Sequence, residues 1–348
     1  MMKNMNILMK FVKSISRIIG GLKMESNNNS SVKNYQSDSV IKKMYNESFN
    51  CTYDNIKIKK LSGGLKNAVY LIQDLDKKVV LKIASKDETK MITADRNTFW
   101  WEAKMLELMK TIDIPSPRLL HFDNSCNTCG SPYIFMTYIE GENYLKTKEI
   151  LNDEENKKIE YQLGKICSKI CNIKGQNYFL PSQPNKKFND NYEFILNLFN
   201  LLLNDALEKN MDLGKDTYKK IKDIIITNEK SLNSNINLSL CHTDIWHGNI
   251  LIDNGNVSGV VDFSDLYYCD ELMTFYFHTI DGKTSIDFLK GFNNKVLSND
   301  ELTRIEIYRM YVILKMIVDC ELKQYGKFDW MYSNLNTRIS NLQKKTLN

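Results

Sequence analysis

Over most of its length the sequence has no net charge. Residues 1–50 hold eight Lys/Arg against three Asp/Glu, which accounts for the whole balance of +5, and residues 51–348 carry 39 of each sign. A neutral body offers no extended basic face to a phosphate backbone, so nucleic acid is not expected as a partner. Long apolar runs are missing too. The most apolar N-terminal stretch is interrupted by Lys3, Lys10, Lys13 and Arg17, which excludes a membrane span or a signal core and leaves no stable membrane insertion to expect. The eight cysteines come without a secretory leader and read as the reduced thiols of a cytoplasmic protein. Cys126-Asn127-Thr128-Cys129 would supply half a zinc site, yet no second CxxC or CxxH completes it, so it reads as a loop between strands. There is no internal repeat, and Asn27-Asn28-Asn29-Ser30-Ser31 is the one biased stretch. What is present is an ordinary globular composition, 43% hydrophobic and 26% charged, in a chain of 348 residues long enough for two lobes with a cleft between them.

Three segments follow from the patterning. Residues 1–50 read as a basic amphipathic extension and polar linker, with Met24 as an alternative start. Residues 51–139 alternate in short β-branched runs: Ile56-Lys57-Ile58, Ala68 to Ile72, Lys78 to Ala84, Leu119 to Phe122 and Tyr133 to Tyr138. These are expected to form a small antiparallel sheet. A helix carrying Phe99, Ala103, Leu106 and Met109 on one face accompanies it, with a cap expected at Thr93 or Asp95. Residues 140–348 are mainly helical, with segments near 153–173, 190–210, 213–232, 270–280, 286–296, 299–324 and 330–345. The exception is a predicted hairpin in which Asn254-Gly255 joins Ile250-Leu251-Ile252 to the run from Val257 to Val261. The fold class is therefore α+β, a sheet-rich lobe followed by a larger helical one.

The chemistry concentrates around that hairpin, in Leu240-Cys241-His242-Thr243-Asp244-Ile245-Trp246-His247-Gly248-Asn249 and then Val260-Val261-Asp262-Phe263. Asp244 and Asn249 stand five apart, and folding the hairpin brings Asp262 to the same end. A few protein oxygens of this kind suit Mg2+, which completes its shell with phosphate oxygens and water. His242 reads as packing that holds the loop.

This H-x-D-x-x-x-x-N pattern with a strand-ending Asp resembles the catalytic segment of the aminoglycoside phosphotransferase family, relatives of protein kinases, and the similarity spans roughly residues 56–280. It implies a bilobal, protein-kinase-like fold and transfer of the γ-phosphoryl group of ATP or GTP to a small-molecule hydroxyl. Asp244 would be the catalytic base, with Asn249 and Asp262 holding Mg2+. Lys82, alone among apolar neighbours in Val79-Val80-Leu81-Lys82-Ile83, matches the phosphate-binding lysine, and Glu102 its helix partner. Ser62, Gly63 and Gly64 look like the nucleotide-positioning loop. Thr137 and Ile139 occupy the hinge position where backbone groups would meet the base.

For the acceptor, the resemblance implies an aminoglycoside-type antibiotic first, with choline, ethanolamine, homoserine, a sugar or a macrolide as alternatives; the remote alternative is a non-catalytic kinase-fold binding protein. A polycationic acceptor calls for carboxylates, and Asp265, Asp270 and Glu271 are the candidates, with His247 in the loop itself. Oligomeric state is not legible in the sequence.

Overall fold

The computed structural model describes residues 32–52, 55–61, 64, 66–75, 77–275 and 284–346. The amphipathic segment at 1–23, the loop residues Ser62 and Gly63, and residues 276–280 of the helix expected at 270–280 lie outside them.

The smaller lobe is a five-stranded antiparallel sheet built from β1 (Lys57–Lys60), β2 (Ala68–Asp74), β3 (Lys77–Ile83), β4 (Leu119–Asp123) and β5 (Tyr133–Thr137), in the order β1-β2-β3-β5-β4. Side chains alternate between its faces, as the period of two requires. Tyr70, Ile72, Val79, Leu81, Ile83, Tyr133 and Phe135 pack with Ile41, Met44 and Tyr45 of helix α1 (Asp38–Phe49). Each such fully buried large side chain contributes about 1.5–3 kcal/mol. The opposite face carries Ile134 and Met136 and packs on helix α2 (Phe99–Met109). Because Leu81 and Ile83 face α1, Lys82 between them must face α2. Helix α1 lies in the stretch read as an extension; the Ser37 side chain caps it by accepting from Val40 N.

At the start of α2 the structure departs from the sequence reading. Thr93–Asp95 forms a separate 3-10 turn, and α2 begins after Thr98, whose side chain makes no cap bond. Thr93 is instead held by Asp205, its N–H donating to Oδ2 at 2.8 Å and its hydroxyl to Oδ1 at 2.6 Å.

The larger lobe follows β6 (Glu142–Asn143) and a short turn of helix, α3 (Tyr144–Thr147). Its frame is α4 (Asp153–Cys171), α5 (Asn191–Glu208), α6 (Thr217–Thr227), α7 (Glu229–Leu232), α8 (Ile286–Gly291), α9 (Asn299–Leu322) and α10 (Asp329–Thr346). Capping boxes, Asn152 with Glu155 and Ser298 with Glu301, start α4 and α9. Two small sheets are set into this frame. β7 (Leu238–His242) pairs with β10 (Leu266–Asp270), and β8 (Ile250–Asp253) with β9 (Asn256–Val260) and β6. The expected hairpin forms, with Asn254 and Gly255 at φ 48° and 68° in its two-residue turn. β10 is a correction: residues 266–270 are strand and Glu271–Thr274 a 3-10 turn, where the sequence reading began a helix at 270. Tyr267, Tyr268 and Cys269 favour a strand once β7 offers them an edge. Among the described residues no helix is long and apolar enough to cross a membrane.

Candidate active site

The site lies where the two lobes meet, and its members reach it by different routes. Lys82 comes from β3, and its ammonium donates to Glu102 Oε1 at 2.7 Å and to Asp262 Oδ1 at 2.9 Å. Glu102 stands in the first turn of α2, one turn in from its start, while Asp262 follows β9 in the left-handed backbone region at φ 67°. One cation thus joins both lobes. Burial acts to lower the Lys82 pKa, and the Asp262 and Glu102 carboxylates overcome it, so the amine stays charged well above its ordinary range. Asp262 is pushed up by burial and down further by Lys82, ending below the usual carboxylate value. Glu102, deeper and with Oε2 taking no hydrogen bond among the described residues, is raised by burial against the pull of Lys82.

On the larger lobe, β7 ends in His242 and leads into the loop bearing Asp244. The Asp244 N–H donates to His242 Nδ1 at 3.2 Å, which puts the ring proton on Nε2, 3.3 Å from Val261 O. Burial lowers the His242 pKa, consistent with a neutral ring fixing two segments rather than moving protons. Asn249 turns its Nδ2 to Asp244, 2.9 Å from the backbone oxygen and 2.8 Å from Oδ2. Its Oδ1 takes no hydrogen bond among the described residues. The loop turns tightly at Gly248, where a Cβ would sit 2.2 Å from the Trp246 ring. Burial, with Asp265 and Asp262 nearby, raises the Asp244 carboxyl well above its ordinary value. A half-exposed carboxylate beside a charged lysine, two oxygen donors with unspent capacity and a carboxyl of raised basicity can together bind a cation with phosphates and accept a proton.

The remaining sequence candidates fall elsewhere. Asp265 is buried and committed: Tyr267 donates to its Oδ1 at 2.8 Å, and Lys315 and Lys66 stand at 3.3 and 3.9 Å. Asp270 and Glu271, expected to line an acceptor cleft, are corrected. Asp270 is completely buried under Arg304 Nε and the Tyr308 hydroxyl, both at 2.8 Å. Glu271 is buried with Lys295 at 3.0 Å and the Asn237 amide. His247 turns to α3 and α4, 3.0 Å from Lys148 Nζ, and edge-on to Tyr144. At the hinge, Thr137 donates its N–H to Arg118 O at 3.0 Å and its hydroxyl oxygen accepts from Arg118 N at 2.9 Å, so its amide is taken by the sheet. Ile139 keeps its backbone groups free of hydrogen bonds among the described residues, and its side chain lies over Gly259. Gly64 sits at φ 62°, and a Cβ there would meet nothing within 4 Å among the described residues. Two residues at the site escaped the sequence reading, Lys66 and Lys315. Lys315 had a readable signal, a lone lysine in Ile313-Leu314-Lys315-Met316-Ile317, which is the same pattern that marks Lys82.

The sequence matches the model of the phosphotransferase enzyme family, APH, over residues 57–281, from β1 past Asp262. The chain belongs to this family. It is a small-molecule phosphotransferase, an enzyme with an alcohol group as acceptor. It is similar to a probable ketoamine kinase of Vibrio vulnificus, 28% identical over 294 residues that cover 79% of this chain and 91% of that one. Among solved structures, a putative fructosamine-3-kinase from Haemophilus somnus superposes with a TM-score of 0.63 at 19% identity, covering 87% of this chain and 96% of that one. The aminoglycoside phosphotransferase APH(4)-Ia in ternary complex with AMP-PNP and hygromycin B gives 0.62 at 14% identity, covering 86% and 98%. At these identities the two structures share the fold.

Proposed function

We propose that this phosphotransferase moves the γ-phosphoryl group of ATP or GTP to a hydroxyl of a ketoamine, a sugar derivative bearing an amine, with Asp244 as the base. The observation that carries the reading is the arrangement of Lys82, Asp262, Asn249 and Asp244 around the junction of the lobes. Lys82, oriented by Glu102, would meet the α- and β-phosphates in exchange for its contact with Asp262. Asp262 and Asn249 would hold Mg2+. The donor set fits that ion: Asp262 Oδ2 and Asn249 Oδ1 are oxygens without hydrogen bonds among the described residues, and Mg2+ needs only one or two protein ligands beside phosphate and water. When bound, the metal neutralises charge building on the phosphate oxygens. Asp244, raised in basicity and held by Asn249 Nδ2 and by its own N–H on His242, would orient the acceptor hydroxyl and take its proton.

Two facts favour a ketoamine over the aminoglycoside expected first. The relative with 28% identity is named a ketoamine kinase. Asp265, Asp270 and Glu271, the carboxylates on which a polycationic acceptor would depend, are already neutralised by Lys66 and Lys315, by Arg304 and by Lys295. The test is a mass-spectrometric screen of purified protein with Mg-ATP or Mg-GTP against fructosyl-lysine, ribosyl-derived ketoamines, aminoglycosides, choline and free sugars, with Asp244→Ala as control. Phosphate gained by the ketoamines and dependent on Asp244 is the expected result. Phosphate gained by an aminoglycoside alone overturns the acceptor and keeps the mechanism.

A further inference from the structure

Next to the site, four charged residues from distant parts of the chain form a closed ring of alternating sign. Lys66, just before β2, contacts Asp95 Oδ2; Asp95 Oδ1 is 3.4 Å from Lys315 Nζ on α9; Lys315 is 3.3 Å from Asp265 Oδ1; and Asp265 Oδ2 is 3.9 Å from Lys66 Nζ. Asp95 and Asp265 are nearly inaccessible, and the lysine side chains are about one-fifth exposed. Burial works against the Lys66 charge, and the Asp265 and Asp95 carboxylates more than restore it, so its ammonium stays charged.

Three of the four members are fixed to the larger lobe. Asp265 follows Asp262, and its backbone oxygen accepts from both Thr243 N and Thr243 Oγ1, at 2.9 and 2.8 Å, beside Asp244. Lys315 is in the middle of α9. Asp95 belongs to the smaller lobe in sequence, yet its segment is bound down on both sides, by Thr93 on Asp205 and by Trp101 Nε1, which donates to Leu266 O at 2.6 Å. Lys66 alone belongs to the sheet. Among the described residues the sheet's other ionic tie to the catalytic loop region is Lys82 with Asp262, and under the proposed function that tie is given up when the phosphates arrive.

We propose that Lys66 is a positioning residue whose ion pairs with Asp95 and Asp265, backed by Lys315, hold the sheet on the catalytic lobe while Lys82 is engaged with nucleotide. The inference rests on nucleotide binding at Lys82 and Asp262. On this proposal the clasp acts through the spacing of the lobes, setting the distance from the bound triphosphate to Asp244. Misplacement by about 1 Å can cost about 100-fold in rate, so a partial loosening is expected to cost about 10-fold in kcat.

The experiment measures Mg-ATP affinity by calorimetry and kcat with the acceptor found in the screen, for wild type, Lys66→Met, Lys66→Arg, Asp265→Asn and the Lys66→Met/Asp265→Asn double variant. Expected are a Kd for Mg-ATP within about twofold of wild type, a kcat lowered about 10-fold by Lys66→Met, substantial recovery with Lys66→Arg, and a double variant no slower than the slower single one. An unchanged kcat in Lys66→Met, or losses that multiply in the double variant, overturns the clasp. If Lys66→Met does not fold, Asp265→Asn, which keeps the shape and removes the charge, carries the same kcat comparison. Failure of wild type to bind either Mg-ATP or Mg-GTP sinks the underlying reading instead, and is distinguishable because it does not involve Lys66.

Discussion

Asp262, just after β9, and Asp270, the last residue of β10, lie eight residues apart, and both are paired with a cation. They differ in what is left unspent. Asp262 leaves one-third of its side chain exposed and keeps Oδ2 free of hydrogen bonds among the described residues, while Lys82 and Ser264 share Oδ1. Asp270 has a side chain 1% exposed; Arg304 and Tyr308 take Oδ2, Leu272 N reaches Oδ1, and Arg304 goes on to the carbonyls of Ser231 and Ser234. A carboxylate with its capacity exhausted in the core holds structure, whereas one with capacity remaining at a cleft can hold a ligand.

That contrast is broken or sharpened by substitution. Removing the proposed base in Asp244→Ala should lower kcat by about 10²–10⁴-fold while Mg-ATP still binds, as read by steady-state kinetics beside calorimetry. A full-strength enzyme would place the base elsewhere. Arg304→Met leaves Asp270 in the interior without its cation, and a loss of about 3–5 kcal/mol in denaturant unfolding is expected, with the remaining folded enzyme keeping its kcat. A stable Arg304→Met would mean that Asp270 is not the closed half of the comparison. The acid limb of stability provides a smaller effect. Burial raises the Asp265 carboxyl, but Lys315 and Lys66 hold it well below the usual range. A depressed folded value adds stability above the unfolded value of about 3.9, and that stability is lost as pH falls through the folded one. Wild type should therefore lose more Tm between pH 5 and 3 (roughly the range bracketing that unfolded value) than Asp265→Asn, and parallel curves would remove Asp265 from the ring's energetics.

The sequence made one kind of information plain and concealed another. Asp244, Asn249 and Asp262 are close in sequence and joined by a hairpin whose Asn-Gly turn announces itself, so their meeting could be anticipated. Lys82 was legible because a lone charge in an apolar strand needs a reason. Helix α1 was hidden in a polar context, although Ser37 and the helical spacing of Ile41, Met44 and Tyr45 were present. β10 was hidden because its strand character depends on the edge of β7, a tertiary fact. Asp270 and Glu271 looked like free carboxylates because nothing local reveals Arg304 and Lys295, which arrive from beyond residue 290. The ring of Lys66, Asp95, Asp265 and Lys315 spans nearly 250 residues and has no spacing rule to betray it.

The account turns on Asp262 being the half-open carboxylate that holds metal and phosphates together. Calorimetric titration of ATP into wild type and Asp262→Asn, each with and without Mg2+, tests this most directly. The account predicts tight binding that requires Mg2+ in wild type and is weakened by at least about 10-fold in Asp262→Asn, in line with the loss of a ligand position. Equal affinity in the two proteins, or wild-type affinity indifferent to Mg2+, would contradict it.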